Sequence, residues 1–300
     1  MPRSLIRPLP RPRATRTLLC MSFCGGGTTS FRSWTHCLPE DVELVLYCYP
    51  GREGRFTTPF ARDWDELLSD ALAAVRDIAW RPYVLFGHSM GAWVAFDLAR
   101  RAECEGIAPP RALVVSAADA PTRRQESAKS PPTVHDSDEQ LVAWMRTNGQ
   151  LPAGVQEDPE ILQIAVEILR ADMRVMDTYR YRSGERIGVP IQVLLGKDDD
   201  ADAGVPDRWR RLGTTGVEAA WLPGGHFYTP DVWSRLPDHM TALHPARSGT
   251  TPEQVVAQTP GTGQATSNFT SRTYEPTRPT LSRPEGEATA GQTTVGWGTT

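Results

Sequence analysis

The sequence predicts an α/β fold: a mostly parallel sheet flanked by helices, with a helical insertion between two of its strands. Short apolar runs alternate with segments of helical period from residue 17 onward. That alternation stops between about 119 and 187 and then resumes. A glycine-bracketed turn, Gly87-His88-Ser89-Met90-Gly91, joins one such run directly to a helical segment. Strands separated by helices imply parallel pairing through right-handed crossovers.

The elements follow in order. Residues 1–16 are rich in Arg and Pro, too frequently broken for helix or sheet, and read as a flexible basic arm. Thr17 to Phe23 is a first strand that breaks at Gly25-Gly26-Gly27. Val42 to Tyr49 is a second strand, stopped by Pro50-Gly51. Trp64 to Ile78 places Leu67, Leu68, Ala71, Ala74, Val75 and Ile78 on one helical face. Tyr83 to Phe86 is a third strand, followed at once by a helix from about Met90 to Ala102, and Ala112 to Ser116 is a fourth. Inside the interruption, 138–147 and 159–181 read as helices, the second with Ile161, Ile164, Ala165, Ile168, Leu169, Met173 and Met176 on one face. Such an insertion is expected to form a lid over the carboxyl edge of the sheet, or else one extra packing layer. Strands at 191–195 and 218–222 and a closing helix over about 231–243 complete the domain, 17–246. Beyond it Thr, Pro, Gly, Ser and Gln dominate, and 247–300 is expected to be a disordered tail, because scattered apolar residues cannot offset ordering entropy. The Asn268 sequon within that tail reads as fortuitous.

Bulk properties exclude several function classes. A net charge of −4 argues against a nucleic-acid surface. No apolar stretch is long enough to span a bilayer, and the N-terminus lacks the apolar core of a secretory signal. The five cysteines, at 20, 24, 37, 48 and 104, show no metal-binding spacing and fit free thiols in a reducing cytoplasm. The Gly25 loop lacks the Lys-Ser/Thr of a P-loop and the spacing of a dinucleotide fingerprint, so no nucleotide, metal or other cofactor is expected. A monomer is the default.

The chemistry-bearing signal is the G-x-S-x-G turn with a strand before it and a helix after it, the nucleophile elbow of α/β-hydrolases. A sharp strand-to-helix turn holds Ser89 in a strained conformation at the sheet's carboxyl edge. The flanking glycines leave room where side chains would collide. A serine nucleophile needs a general base, and in this fold the chain order is serine, acid, histidine. His226, on Pro223-Gly224-Gly225-His226-Phe227 just past a strand, is best placed. His88 is its main rival, while His36, His135, His239 and His244 read as surface residues. The acid belongs on the loop Gly196-Lys197-Asp198-Asp199-Asp200-Ala201-Asp202, with Asp200 favoured and Asp199 next. Two backbone donors must meet the oxyanion: the Met90 amide after the nucleophile, and the Cys24 amide after the first strand.

Five ordered stretches resemble a known family, the type II thioesterases of polyketide and non-ribosomal peptide assembly lines. They are Phe23 to Gly27 with Phe31-Arg32-Ser33-Trp34; Tyr49-Pro50-Gly51-Arg52-Glu53 with Arg55; Phe86 to Ala92; Leu169-Arg170-Ala171-Asp172 with Thr178 to Tyr181; and Pro223 to Phe227. Ser22, Cys24 and Ala201 stand where the family usually has Pro, Ala and Pro. The resemblance implies a Ser89–His226–Asp200 triad that hydrolyses acyl thioesters on the phosphopantetheine arm of acyl or peptidyl carrier domains. Such enzymes clear stalled or mis-primed groups. Two alternatives share these residues or most of them: a general carboxylesterase, and a carrier-binding protein without turnover.

Overall fold

The computed structural model describes residues 4–122, 132–151, 155 and 158–244, all within one compact unit, Met1–Gly249. The expected tail, 247–300, lies outside the described residues. Seven strands form one sheet: β1 (Leu5–Ile6), β2 (Arg16–Met21), β3 (Val42–Tyr47), β4 (Tyr83–His88), β5 (Ala112–Ser116), β6 (Ile191–Gly196) and β7 (Val217–Leu222). Their order across the sheet is β1-β3-β2-β4-β5-β6-β7. All pairs are parallel except β1 with β3. The chain runs outward from β2 to β3, then returns to place β4 on the other side of β2. That reversal opens a crevice at the carboxyl ends of β2 and β4, where α/β sheets place their sites.

Both faces of the central strands are apolar, as a sheet covered on two sides requires. Leu19, Met21, Val45, Leu85, Leu113, Val115, Val193 and Leu195 point to the face covered by α1 (Trp64–Ile78) and α2 (Met90–Cys104). The intervening Leu18, Cys20, Leu44, Leu46, Val84, Phe86, Val114 and Leu194 point to the opposite face. There they meet Phe31 and Trp34 of a 3-10 segment, Thr28–His36, and Leu236, Met240 and Leu243 near the end of the domain. Helix α1 begins where the Asp63 carboxylate accepts the Glu66 amide, and it buries every residue placed on its apolar face by the sequence.

The insertion between β5 and β6 contains α3 (Asp138–Thr147) and α4 (Pro159–Thr178). A Ser137–Gln140 capping box starts α3, and Asp158 with Pro159 starts α4. Leu141 and Met145 of α3 pack with Val166, Leu169 and Met173 of α4 in a separate apolar cluster. Two short helices, α5 (Val205–Arg210) and α6 (Pro230–Ser234), follow β6 and β7. No described helix is long and apolar enough to cross a membrane.

Three expectations need correction. Residues 4–16 are no flexible arm over the described span. Leu5 and Ile6 pair with Tyr47 and Leu46, and the Arg11 guanidinium donates to the carbonyls of Pro39 at 2.5 Å, Thr35 at 2.8 Å and Val42 at 2.9 Å. The prolines that exclude a helix leave this edge pairing intact, because an edge strand needs only alternate donors. The helix expected over 159–181 ends at Thr178, as Tyr179 turns extended with ψ 134°. The closing helix is instead α6 followed by two 3-10 turns, Leu236–His239 and Thr241–Leu243. Pro237 lacks the amide that a continuous helix would use.

Candidate active site

The carboxyl ends of β4, β6 and β7 carry the site. Ser89 sits between β4 and α2 with φ 54° and ψ −120°, a backbone conformation that only a surrounding structure can enforce. The enforcement is visible in its neighbours. The Ser89 amide donates to Ser116 O of β5 at 2.8 Å. A Cβ on Gly87 would lie 2.0 Å from Gly91 O, and one on Gly91 would lie 2.4 Å from Met21 O. Both glycines are therefore required by close backbone approach, and the elbow is wedged against the end of β2. Ser89 is only partly covered, whereas Met90 behind it is buried. The Met90 amide stands in the first turn of a 15-residue helix, where amides lack intrahelical acceptors and the helix dipole favours negative charge.

His226 is brought to the same edge by the loops after β6 and β7, which are joined to each other. Lys197 N donates to Leu222 O at 2.9 Å, and Asp198 N to Gly224 O at 3.0 Å. A Cβ on Gly196 would lie 2.2 Å from Gly225 O, so the two loops can approach this closely only without a side chain there. Gly224 has φ +98°, and a Cβ there would lie 2.2 Å from the Tyr228 carbonyl carbon, so only glycine fits the turn that carries His226.

This pairing selects which aspartate reaches the imidazole. His226 Nδ1 lies 3.1 Å from Asp199 Oδ2. Asp200, favoured from the sequence, is exposed, and its amide donates to Asp199 Oδ1. The correction has a geometric cause. Lys197 and Asp198 are used in the ladder to the histidine loop, so the next residue turns its side chain toward the imidazole and the one after it faces solvent. Asp202 is committed elsewhere, to Arg208 at 2.8 Å, and Arg208 also holds Asp119 at 2.6 Å. With Nδ1 facing a carboxylate, Nε2 is the His226 nitrogen free to act as base.

His88 is wholly buried and engaged elsewhere. Its Nδ1 lies 2.9 Å from Ser116 Oγ, which lies 2.7 Å from Tyr228 OH, which donates to Leu194 O at 2.9 Å. A carbonyl only accepts, so the protons run one way along this chain: Tyr228 to Leu194, Ser116 to Tyr228, His88 Nδ1–H to Ser116. His88 Nδ1 thus carries a proton, while Nε2 has no hydrogen-bond partner among the described residues and the ring packs against Phe227 and Trp233. Burial, and secondarily the neighbouring His226, push its pKa well below the ordinary histidine value. It stiffens the elbow and backs His226, whose ring centroid is 5.2 Å away. The remaining histidines, 36, 135, 239 and 244, are exposed.

The glycine loop after β2 contributes Cys24, which is partly covered. The Gly26 amide donates to Phe23 O at 2.9 Å and the Gly25 amide to Asp172 Oδ2 at 2.8 Å, so both are already engaged. The Arg52-Glu53-Arg55 stretch, conspicuous in the sequence, consists of braces. Glu53 accepts from Thr29 N at 3.2 Å and Thr29 Oγ1 at 3.1 Å, and Arg55 pairs with Asp70 at 2.6 Å. The Ser116–Tyr228 link and the Asp172 contact have no local sequence signal, because each joins residues more than a hundred positions apart. All five cysteines are free, and no cluster of three or more metal-ligating side chains occurs among the described residues.

Comparison with known proteins relates the whole chain to a family. A family model described as a thioesterase domain matches residues 16–242. The AMB antimetabolite synthetase AmbE of Pseudomonas aeruginosa is 37% identical over 214 residues, covering 70% of this chain but only 10% of that synthetase. The gramicidin S biosynthesis protein GrsT of Aneurinibacillus migulanus is 29% identical, covering 70% of this chain and 82% of that protein. Among solved structures, the type II thioesterase BorB from the borrelidin biosynthetic cluster superposes with a TM-score of 0.68 at 33% identity, covering 78% of this chain and 96% of BorB.

Proposed function

The chain belongs to the thioesterase domain family and is a hydrolase of thioester bonds, and on that premise we propose that it removes acyl groups from the phosphopantetheine arm of acyl or peptidyl carrier proteins. The roles fall to Ser89, His226 and Asp199. Ser89 Oγ attacks the thioester carbonyl while His226 Nε2 takes its proton. Asp199 accepts the Nδ1–H, holds the imidazole in that tautomer and balances the imidazolium. The Met90 and Cys24 amides receive the oxyanion. Collapse of the tetrahedral adduct expels the pantetheine thiolate, which takes the proton from His226. Water, deprotonated by His226, then cleaves the acyl-enzyme and restores Ser89.

The observation that carries this reading is the 3.1 Å His226–Asp199 contact, in the loops that follow β6 and β7 of a sheet whose β4 leads into a serine held at φ 54°. Strain at an elbow is maintained only where the surroundings over-determine it, and the nucleophile of a strand-to-helix elbow is the residue such strain serves. The α3–α4 insertion serves as the lid that shapes the acyl pocket. The carrier-bound substrate is supported by the type II thioesterase and antibiotic-biosynthesis relatives, and a cytoplasmic setting by the five free thiols.

The test follows acyl mass on an acetyl-loaded carrier protein, with wild type and Ser89→Ala compared and a p-nitrophenyl ester run in parallel. Loss of the acyl mass with wild type alone, faster than ester cleavage, is expected. Ester cleavage with an untouched carrier would make the chain an esterase for small soluble esters. Neither activity in folded protein would leave only carrier binding.

A further inference from the structure

The segment Tyr49–Arg52 and the residue Asp172 stand outside the triad, yet both converge on the loop that carries Cys24. Arg52 and Asp172 are 2% and 4% exposed, a depth at which charged groups occur only with partners. They pair through Arg52 Nη1 and Asp172 Oδ2 at 2.8 Å, and through Arg52 Nη2 and Asp172 Oδ1 at 2.5 Å. The pair also grips the loop backbone at adjacent residues. Asp172 Oδ2 accepts the Gly25 amide at 2.8 Å, and Arg52 Nη1 donates to Gly26 O at 2.7 Å. Tyr49 lies beneath the guanidinium, 5.1 Å from ring centroid to Arg52 Cζ, and its hydroxyl donates to Ser22 O at 3.0 Å. Gly25 has φ +78° and rests on Leu169 of α4, where a Cβ would stand 3.1 Å from Leu169 Cδ1. The loop is therefore held on both sides of Cys24: by Tyr49 at Ser22, and by the Arg52–Asp172 pair at Gly25 and Gly26.

We infer that Asp172 and Arg52 are positioning residues for the oxyanion hole, fixing the peptide that presents the Cys24 amide to the tetrahedral adduct. This rests on the proposed Ser89 mechanism. An amide donor stabilises a developing oxyanion only if it is already aimed when charge appears, because reorganising it would consume the gain. A buried anion on Gly25 N and a buried cation on Gly26 O fix the Cys24–Gly25 and Gly26–Gly27 peptide groups, and the Cys24 amide, one peptide earlier, follows from their placement. Because Asp172 belongs to α4, seating of the inserted helix and completion of the oxyanion hole become one event. The helix then acts on chemistry as well as on pocket shape.

The pair predicts a loss in turnover without a matching loss in binding. Asp172→Asn keeps an oxygen for Gly25 N but removes the charge facing Arg52. Arg52→Lys keeps the charge but cannot reach Asp172 and Gly26 O with a planar fork. Each variant, assayed as full chain with folded fraction checked by circular dichroism, should lower kcat on acetyl-carrier protein about 10- to 100-fold, in the range for a weakened oxyanion donor, with KM nearly unchanged. The second-order rate of Ser89 labelling by a fluorophosphonate should fall in parallel, since it needs the nucleophile and the oxyanion hole but no carrier. The pH at half-maximal rate should stay put. Folded Asp172→Asn and Arg52→Lys that label at the wild-type rate would overturn the inference, as would a moved pH midpoint, which would place Asp172 with His226 instead. If Asp172→Asn fails to fold, Arg52→Lys decides. Wild type that labels but leaves the carrier loaded would defeat the carrier-substrate reading alone, and the labelling rates would still judge the clasp. Wild type that does not label at all would defeat both.

Discussion

Replacing Asp199 by Asn exchanges a carboxylate for a neutral amide of the same shape at 3.1 Å from His226 Nδ1. In the proposed mechanism His226 is an imidazolium in the transition state, so the lost quantity is a charge–charge attraction across that distance. Coulomb's law puts it at about 1.3 kcal/mol for water-like screening and about 5 kcal/mol for an effective dielectric of 20. The two side chains are 29% and 15% exposed, so the relevant screening lies between those limits. Asn can also present its NH2 to Nδ1, which favours the wrong tautomer and adds to the loss. We therefore expect kcat/KM on acetyl-carrier protein to fall roughly 10²- to 10³-fold, since each 1.4 kcal/mol is a factor of ten. Asp200→Asn, at an exposed side chain, should stay within about twofold of wild type. Thermal unfolding should move little in either variant, which separates the catalytic effect from misfolding. An Asp200→Asn enzyme more impaired than Asp199→Asn would refute the assignment, and Asp199→Asn with near-normal activity would remove the acid from the mechanism.

Other outcomes follow from the packing and from one buried histidine. His88 is held neutral in the fold, while in the unfolded chain it takes a proton below about pH 6.5, so its contribution is intact above that pH and is lost below it at about 1.4 kcal/mol per pH unit until the folded group titrates. Urea unfolding of wild type and His88→Gln between pH 7.5 and 5.5 should show a steeper fall in wild type; equal slopes would refute this. Gly91→Ala would drive a Cβ to 2.4 Å from Met21 O and should cost about 3 kcal/mol, read as a lowered Tm, together with lost fluorophosphonate labelling. A stable, reactive Gly91→Ala would contradict the wedge described at the elbow. Arg11→Ala removes charged donors from four carbonyls and should lower unfolding free energy by about 2–4 kcal/mol in urea titration. An unchanged midpoint would restore the view of that segment as a loose arm.

What was legible in the sequence is what local chemistry dictates. Helix α1 is stated by the spacing of Leu67, Leu68, Ala71, Val75 and Ile78, and the parallel strands by short apolar runs such as Leu113–Val115, buried on both faces. The elbow could be read because strand, two glycines, serine and helix are contiguous. His226 could be read because its turn directly follows β7. By contrast, β1 is two residues long in a proline-rich stretch, below what any period can signal, and exists only because β3 offers it an edge. The break in the closing helix at Pro237 was present in the sequence but was outweighed by the apolar residues around it.

The acid loop marks the boundary most sharply. Four aspartates within five residues are equivalent to any pattern, and the choice among them depends on how two loops align. The ladder from Lys197 and Asp198 to Leu222 and Gly224 sets that alignment, and it turns Asp199 inward. The same holds for Arg52 and Asp172, 120 residues apart and meaningful only as a buried pair on one loop. The sequence by itself determined the architecture and singled out Ser89 and His226 as the candidate nucleophile and base, because propensity, periodicity and a contiguous motif act over short stretches. Only the tertiary structure decided which aspartate meets His226, the braces of the glycine loop and the burial of His88, because long-range register and desolvation depend on which segments meet.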